Sequence, residues 1–151
     1  MLQKCLEKLH AARYERFTTR FHIVLARGLA AGGRFLEGVT LIDETIRLIE
    51  AKGDTSYIPE LLRLKGSILL AMPTPRIEDA EMCFMQSLEL SRAHGSRAWE
   101  LRTATDLAAL WAGQGRSDDA RALLLPAFEQ FTEGSDTADL KAAERLLTTL
   151  S

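Results

Sequence analysis

The sequence predicts an all-α chain in which three antiparallel helix pairs stack as a solenoid, with a short helix before them and a capping helix after. Two observations carry this. Apolar residues recur at three- and four-residue steps along most of the chain, the period of an amphipathic helix. A self-comparison at a period of about 40 residues then superimposes three units class by class, as expected where each unit packs only on its neighbours.

Arg97 to Glu133 shows one unit whole. Leu101, Ala104, Leu107, Ala108 and Trp111 share one face of a first helix. Gly113 and Gly115 stop it, since glycine is poor in a helix interior and readily takes the positive φ of a C-cap. Ser117, Asp118 and Asp119 offer a hydroxyl and two carboxylates to the free N–H groups of a second helix. The face of that helix is Ala120, Leu123, Leu124, Ala127 and Phe131.

From the start of the chain, residues 1–16 hold an N-terminal helix with Leu2, Cys5, Leu6, Leu9 and Ala12 on one side and Lys4, Glu7 and Lys8 opposite. Residues 17–53 form the first repeat, with helices over Phe17 to Ala31 and Leu36 to Lys52, a turn at Gly32 and Gly33, and a stop at Gly53. Residues 54–95 form the second. Asp54, Thr55 and Ser56 offer caps, Pro59 sits in the first turn, and Met72 to Arg76 is a stiff loop before a helix from Ile77 to His94. Residues 96–134 are the third repeat. Residues 135–151 are the capping helix, opened by Asp136 and carrying Leu140, Ala143, Leu147 and Leu150. Pro126 should kink the helix that holds it, because it lacks an N–H and presses on the preceding turn.

The internal alignment is detailed. Gly33-Arg34, Pro75-Arg76 and Gly115-Arg116 coincide, followed by the acids Glu37, Asp79 and Asp119 and the small residues Gly38, Ala80 and Ala120. Ile42, Phe84 and Leu124 come next, then Thr45, Ser87 and Ala127. On the first helices, Ala26, Gly66 and Ala108 match, with Leu29, Leu69 and Trp111 three residues on and the aromatics Phe17, Tyr57 and Trp99 nine residues before. A periodic aromatic at a helix start reads as a wedge that holds one repeat on the last.

At 151 residues the chain is one domain by length and buries ~70% of its unfolded surface. It is 46% hydrophobic and 26% charged, and its net charge of −2 argues against a dedicated nucleic-acid binder. Cys5 and Cys83 have no disulfide-framework or zinc spacing. No signal-peptide core and no run of ~18 apolar residues occurs, so the expected location is the cytoplasm, off the membrane. His10, His22 and His94 are too dispersed for a metal set; His94 reads as a helix C-terminal charge and His22 as a partly buried polar group. Gly113 and Gly115 join two helices and follow no strand, the wrong context for a nucleotide loop. No nucleophile arrangement, cofactor motif or metal-ligand spacing is present, so an enzyme is not expected.

A helix pair with Ala80 and Phe84 on its second helix, and with Leu107, Ala108, Trp111, Ala120 and Ala127 in the third unit, resembles the tetratricopeptide repeat. Ala104 and Thr132 stand where that motif carries a tryptophan and a proline, and these repeats are longer than its usual ~34 residues. The stretches YIPELLRLKG from Tyr57, WELRTATDLAALW from Trp99 and FTEGSDTADLKAAE from Phe131 look like the C-terminal region of large bacterial signalling ATPases. In those proteins a winged-helix or nucleotide-cyclase domain and an ATPase domain precede the repeats. Ser135 departs from that tail, where an aromatic is usual. The resemblance implies the sensor or interaction end of such a regulator and carries over no phosphate-binding residue.

In the repeat family the first helix of each pair lines the concave side, where partner segments lie. Here that strip is Arg20, Ile23, Arg27 and Ala30, then Glu60, Arg63, Ser67 and Leu70, then Arg102, Thr105, Ala109 and Ala112. Four arginines against one glutamate make it net positive, and arginine forks suit carboxylates. The expected partner is a protein or peptide segment, acidic in character, or a neighbouring domain of the same longer chain. Against this stands a plain solvated face in which Glu60 ties up an arginine. A small-ligand or peptide-effector sensor is the alternative function. Homodimerisation through Leu2, Leu6 and Leu9 of the N-terminal helix is the third.

Overall fold

A computed structural model describes residues 19–53, 55–131 and 137–150. These residues are all-α, in seven helices with no strand among them. Helix α1 spans residues 19–31 of the described chain. The others are α2 (Phe35–Lys52), α3 (Ile58–Ala71), α4 (Ile77–Ala93), α5 (Arg97–Gly113), α6 (Ser117–Glu129) and α7 (Ala138–Leu150). The expected N-terminal helix, Phe17, Asp54, Ser135 and Asp136 lie outside the described residues.

Each helix packs on the next one in sequence from α2 to α7, and α5 also meets α3 and α7. The apolar interior follows from this. Ala26, Ile42, Ile49, Leu61, Leu64 and Ile68 form one cluster, Leu69, Ala80, Phe84 and Leu107 a second, and Leu101, Ala108, Ala120, Leu124, Leu140 and Ala143 a third. Every cluster takes residues from at least two helix pairs, so burial joins neighbours and no pair has a core of its own.

The turns inside the pairs are built alike. The N–H groups of Arg34, Arg76 and Arg116 donate to the carbonyls of Leu29, Leu69 and Trp111 at 2.7, 3.1 and 2.9 Å. The N–H groups of Gly38, Ala80 and Ala120 then donate to the carbonyls of the same arginines at 3.1, 3.0 and 3.0 Å. All these residues are aligned in the repeat. Gly33 and Gly115 hold φ of 82° and 80°, the left-handed backbone that side chains avoid. In the middle turn proline replaces them and the longer Met72 to Pro75 loop makes the reversal.

Helix α6 starts at Ser117 as expected, with Asp118 and Asp119 in its first turn and Arg116 as its cap residue, whereas the cap residue of α3 is Tyr57, one past Ser56; neither cap residue makes a side-chain capping bond. The tight turn sets the boundary: the Arg116 carbonyl already accepts the first helical bond, which places Ser117 inside the helix. At α7 the cap is Thr137, whose Oγ1 accepts from the Leu140 N–H at 3.3 Å. Helix α6 continues through Pro126 to Glu129, so Phe131 lies past its end and packs, half-buried, on the third cluster.

The small residues mark close approaches. A Cβ on Gly66 would stand 2.7 Å from the ring of Phe84, and one on Gly38 would stand 3.2 Å from the Ala26 carbonyl. Tyr57 and Trp99 touch with ring centroids 5.8 Å apart, so the periodic aromatics link successive pairs. The hydroxyl of Ser87 on α4 donates to the Pro59 carbonyl on α3 at 2.7 Å and meets Thr103 Oγ1 on α5 at 2.9 Å.

Candidate interaction groove

The first helices of the pairs and α7 enclose one groove. Arg27 comes from α1, Arg63 from α3, Arg102, Thr105 and Asp106 from α5, and Asp139 and Ala142 from α7, around a cavity of about 330 Å³. Two of these arginines hold Glu60, which lies outside the lining and whose side chain is 8% exposed. A carboxylate so buried needs partners, and it has two. Arg63 donates from Nε and Nη2 to its two oxygens at 2.9 and 2.7 Å. Arg27 adds one bond from Nη2 at 3.3 Å.

The ion pairs continue along the groove. Arg63 Nη1 donates to Asp106 at 2.8 Å, and Arg102 Nε donates to Asp139 at 2.7 Å. Burial alone would lower the Arg63 pKa, but hydrogen bonds and attraction from Glu60 and Asp106 outweigh it and raise the value, so this guanidinium stays charged. Asp106 is pushed up, chiefly by burial, with Arg63 opposing and the charges of Glu60 and Asp139 adding to the rise.

The groove therefore gathers Arg27, Arg63, Arg102 and Thr105 of the expected strip, with Glu60 anchoring the first two. Arg20 is exposed and outside the lining. Ser67 and Thr105 donate their hydroxyl protons back to the carbonyls of Arg63 and Leu101 at 3.2 and 2.7 Å, which leaves those protons unavailable to a ligand. Sequence reasoning missed Asp106 and Asp139. With them counted, three lining arginines face Glu60 and two aspartates, and the strip's net positive charge is balanced within the groove. The spacing of Arg102 and Asp106 by four on one helix was the available signal.

The arginines are unequal. Arg63 spends three donors on carboxylates and is 17% exposed, which makes it part of the framework. Arg27 is 52% exposed with a single long bond, and Arg102 is 39% exposed with a bond from Nε. Each guanidinium carries five N–H donors, so both retain donors for an incoming anionic group. Among the described residues no cluster of histidine, cysteine and carboxylates could hold a metal, and no helix is long and apolar enough to cross a membrane.

No protein-family model, curated protein or solved structure matches the chain.

Proposed function

We propose that the chain is a non-enzymatic interaction module of the tetratricopeptide kind, a helical-repeat solenoid in which the groove over α1, α3, α5 and α7 receives an acidic polypeptide segment. That segment belongs to a partner protein or to another domain of a longer regulator, a bacterial signalling ATPase or transcriptional regulator acting in the cytoplasm. The single observation that supports this most is the pairing of a rigid arginine with two accessible ones. Arg63 is locked by Glu60 and Asp106, while Arg27 and Arg102 flank the same cavity with donors to spare. A segment carboxylate would exchange with the Asp139 contact of Arg102 and add to the single bond of Arg27, an exchange of like for like with little desolvation to overcome.

The test uses Arg27→Gln and Arg102→Gln together, since both side chains are accessible and neither holds the core. The immobilised domain and this variant are each exposed to lysate of the source organism. A protein retained by the wild type alone supports the groove; equal retention by both removes it.

The cavity also lies in the size range of small-molecule sites. An anionic effector is therefore the second reading, and a melting shift with a dicarboxylate, lost in the same variant, would favour it.

A further inference from the structure

An exposed apolar stripe lies on α1. Phe21, Val24 and Leu25 are 63%, 66% and 41% exposed, at the spacing of one helix face. In the other pairs most of the equivalent positions are buried. Phe21 aligns with Leu61 and Thr103, at 0% and 1%; Val24 aligns with Leu64, at 6%, and with Asp106 of the groove; Leu25 aligns with Leu107, at 0%, and with Lys65, which reaches back to Asp43 of α2. Leu61 and Leu64 are buried in one cluster with Ile42 and Ile49, which come from the helix before theirs. Likewise α5 packs on the helix that precedes it, α4. Among the described residues, then, no helix precedes α1 to cover this face.

The chain carries a sequence suited to that place. Leu2, Cys5, Leu6, Leu9 and Ala12 make an apolar stripe of helical spacing, with Lys4, Glu7 and Lys8 on the other side. Eleven helical residues would span about 16 Å, enough to cover the stretch from Phe21 to Leu25. Six residues, 13–18, separate this stretch from the first described residue of α1, against five between α2 and α3 and three between α4 and α5.

We propose that residues 2–12 form a helix that docks on Phe21, Val24 and Leu25 of the same chain and takes on α1 the place that α2 takes on α3. The docked stripe includes Cys5. That end of the stack is then closed by its own chain, and it offers no adhesive surface to a second copy.

Cys5 is also the reporter. The other thiol, Cys83, is buried at 6% exposure and serves as the control for intact packing. Maleimide labelling of the whole protein at low micromolar concentration, resolved by peptide mass spectrometry, reads both thiols separately. In the wild type Cys5 should label at least about tenfold more slowly than in a synthetic peptide of residues 1–18. Phe21→Asp with Val24→Asp should release Cys5 to the peptide rate while Cys83 stays protected. If that variant also exposes Cys83, Leu6→Asp with Leu9→Asp makes the same test from the docking segment and must release Cys5 alone.

Cys5 labelling at the peptide rate in the wild type overturns the proposal, and so does continued protection in the Leu6, Leu9 variant. Protection that grows with protein concentration, together with a doubled mass in sedimentation, assigns the stripe to a second copy and overturns it equally.

Discussion

The turns within the helix pairs and the strip along the groove are two readings of the same repeat, and they diverge in opposite ways. At the turns, Arg34, Arg76 and Arg116 make the same backbone bonds and each pairs with the acid three residues on, Glu37, Asp79 or Asp119. Along the strip, the equivalent positions hold Arg20, Glu60 and Arg102, then Ile23, Arg63 and Thr105, then Arg27, Ser67 and Ala109. Turn residues answer to backbone hydrogen bonds, which recur in every pair even where the middle loop is longer. Strip residues answer to what lies across the groove, which differs at every step. Repetition therefore marks the fold here, and its loss marks the surface free to specialise.

Substitutions can break this contrast. The largest effect expected is at Arg63, a strip residue with a framework role. Arg63→Met strips the buried Glu60 of its two-point partner and should cost about 3 kcal/mol, the lower end for breaking a buried pair. Arg27→Met, on the half-exposed partner of the same carboxylate, should cost less than about 1 kcal/mol. Denaturant melts of the two variants give the comparison, and equal losses would make the strip uniform.

Next comes the one place where the small-residue pattern is tuned by its neighbour. Gly66→Ala places a methyl against the Phe84 ring and should cost about 1–2 kcal/mol, the strain exceeding alanine's helical advantage. In the third pair Ala108 sits in the equivalent place, and the residue aligned with Phe84 is Leu124. Phe84→Leu should then relieve Gly66→Ala, so that the double variant melts above the sum of the singles.

A smaller difference separates the turns themselves. The Arg34 pair with Glu37 is exposed on both sides, and Arg34→Ala should change stability by no more than about 0.5 kcal/mol. Arg116 also lies 4.5 Å over the ring of Trp111, whose Nε1 donates to Glu81 at 2.9 Å. Arg116→Ala should cost about 1 kcal/mol. Matching losses in thermal melts would reduce the contact with Trp111 to ornament.

The last expectation is one of sign. The Asp106 pKa is raised in the fold, so its ionised form is disfavoured there relative to the unfolded chain. That cost is present at neutral pH, shrinks as pH falls through the folded value and is gone below the unfolded one. Asp106→Asn should thus be at least as stable as wild type at pH 7, with its advantage fading in acid. Urea melts across that range would refute this if the advantage grew on acidification.

Periodicity and glycine placement made the pairs, the turns, the interior alanines and the Tyr57 to Trp99 contact legible, because each depends on spacing along one or two neighbouring helices. The Glu60 to Arg63 pair was legible for the same reason. Asp106 was not: it aligns with Leu64, which is buried in the cluster with residues of α2, so its register pointed inward. Asp139 was hidden because its meeting with Arg102 depends on how α7 lies on α5. The cap of α3, expected from Thr55 or Ser56, fell to Tyr57 because side-chain preference cannot see which carbonyl the turn has placed to accept the first helical bond.

Ser87 has a consequence for assembly order. Its oxygen reaches a carbonyl on one neighbouring helix and a hydroxyl on the other, so it is satisfied in a single alignment of three helices. Alanine and leucine surfaces alone would tolerate a slip of one helical turn at modest loss. The hydroxyl opposes a slip, which would take Ser87 from both the Pro59 carbonyl and the Thr103 hydroxyl. It acts as a vernier mark between neighbouring units: the chain is free to add them in any order, yet only one spacing between them survives.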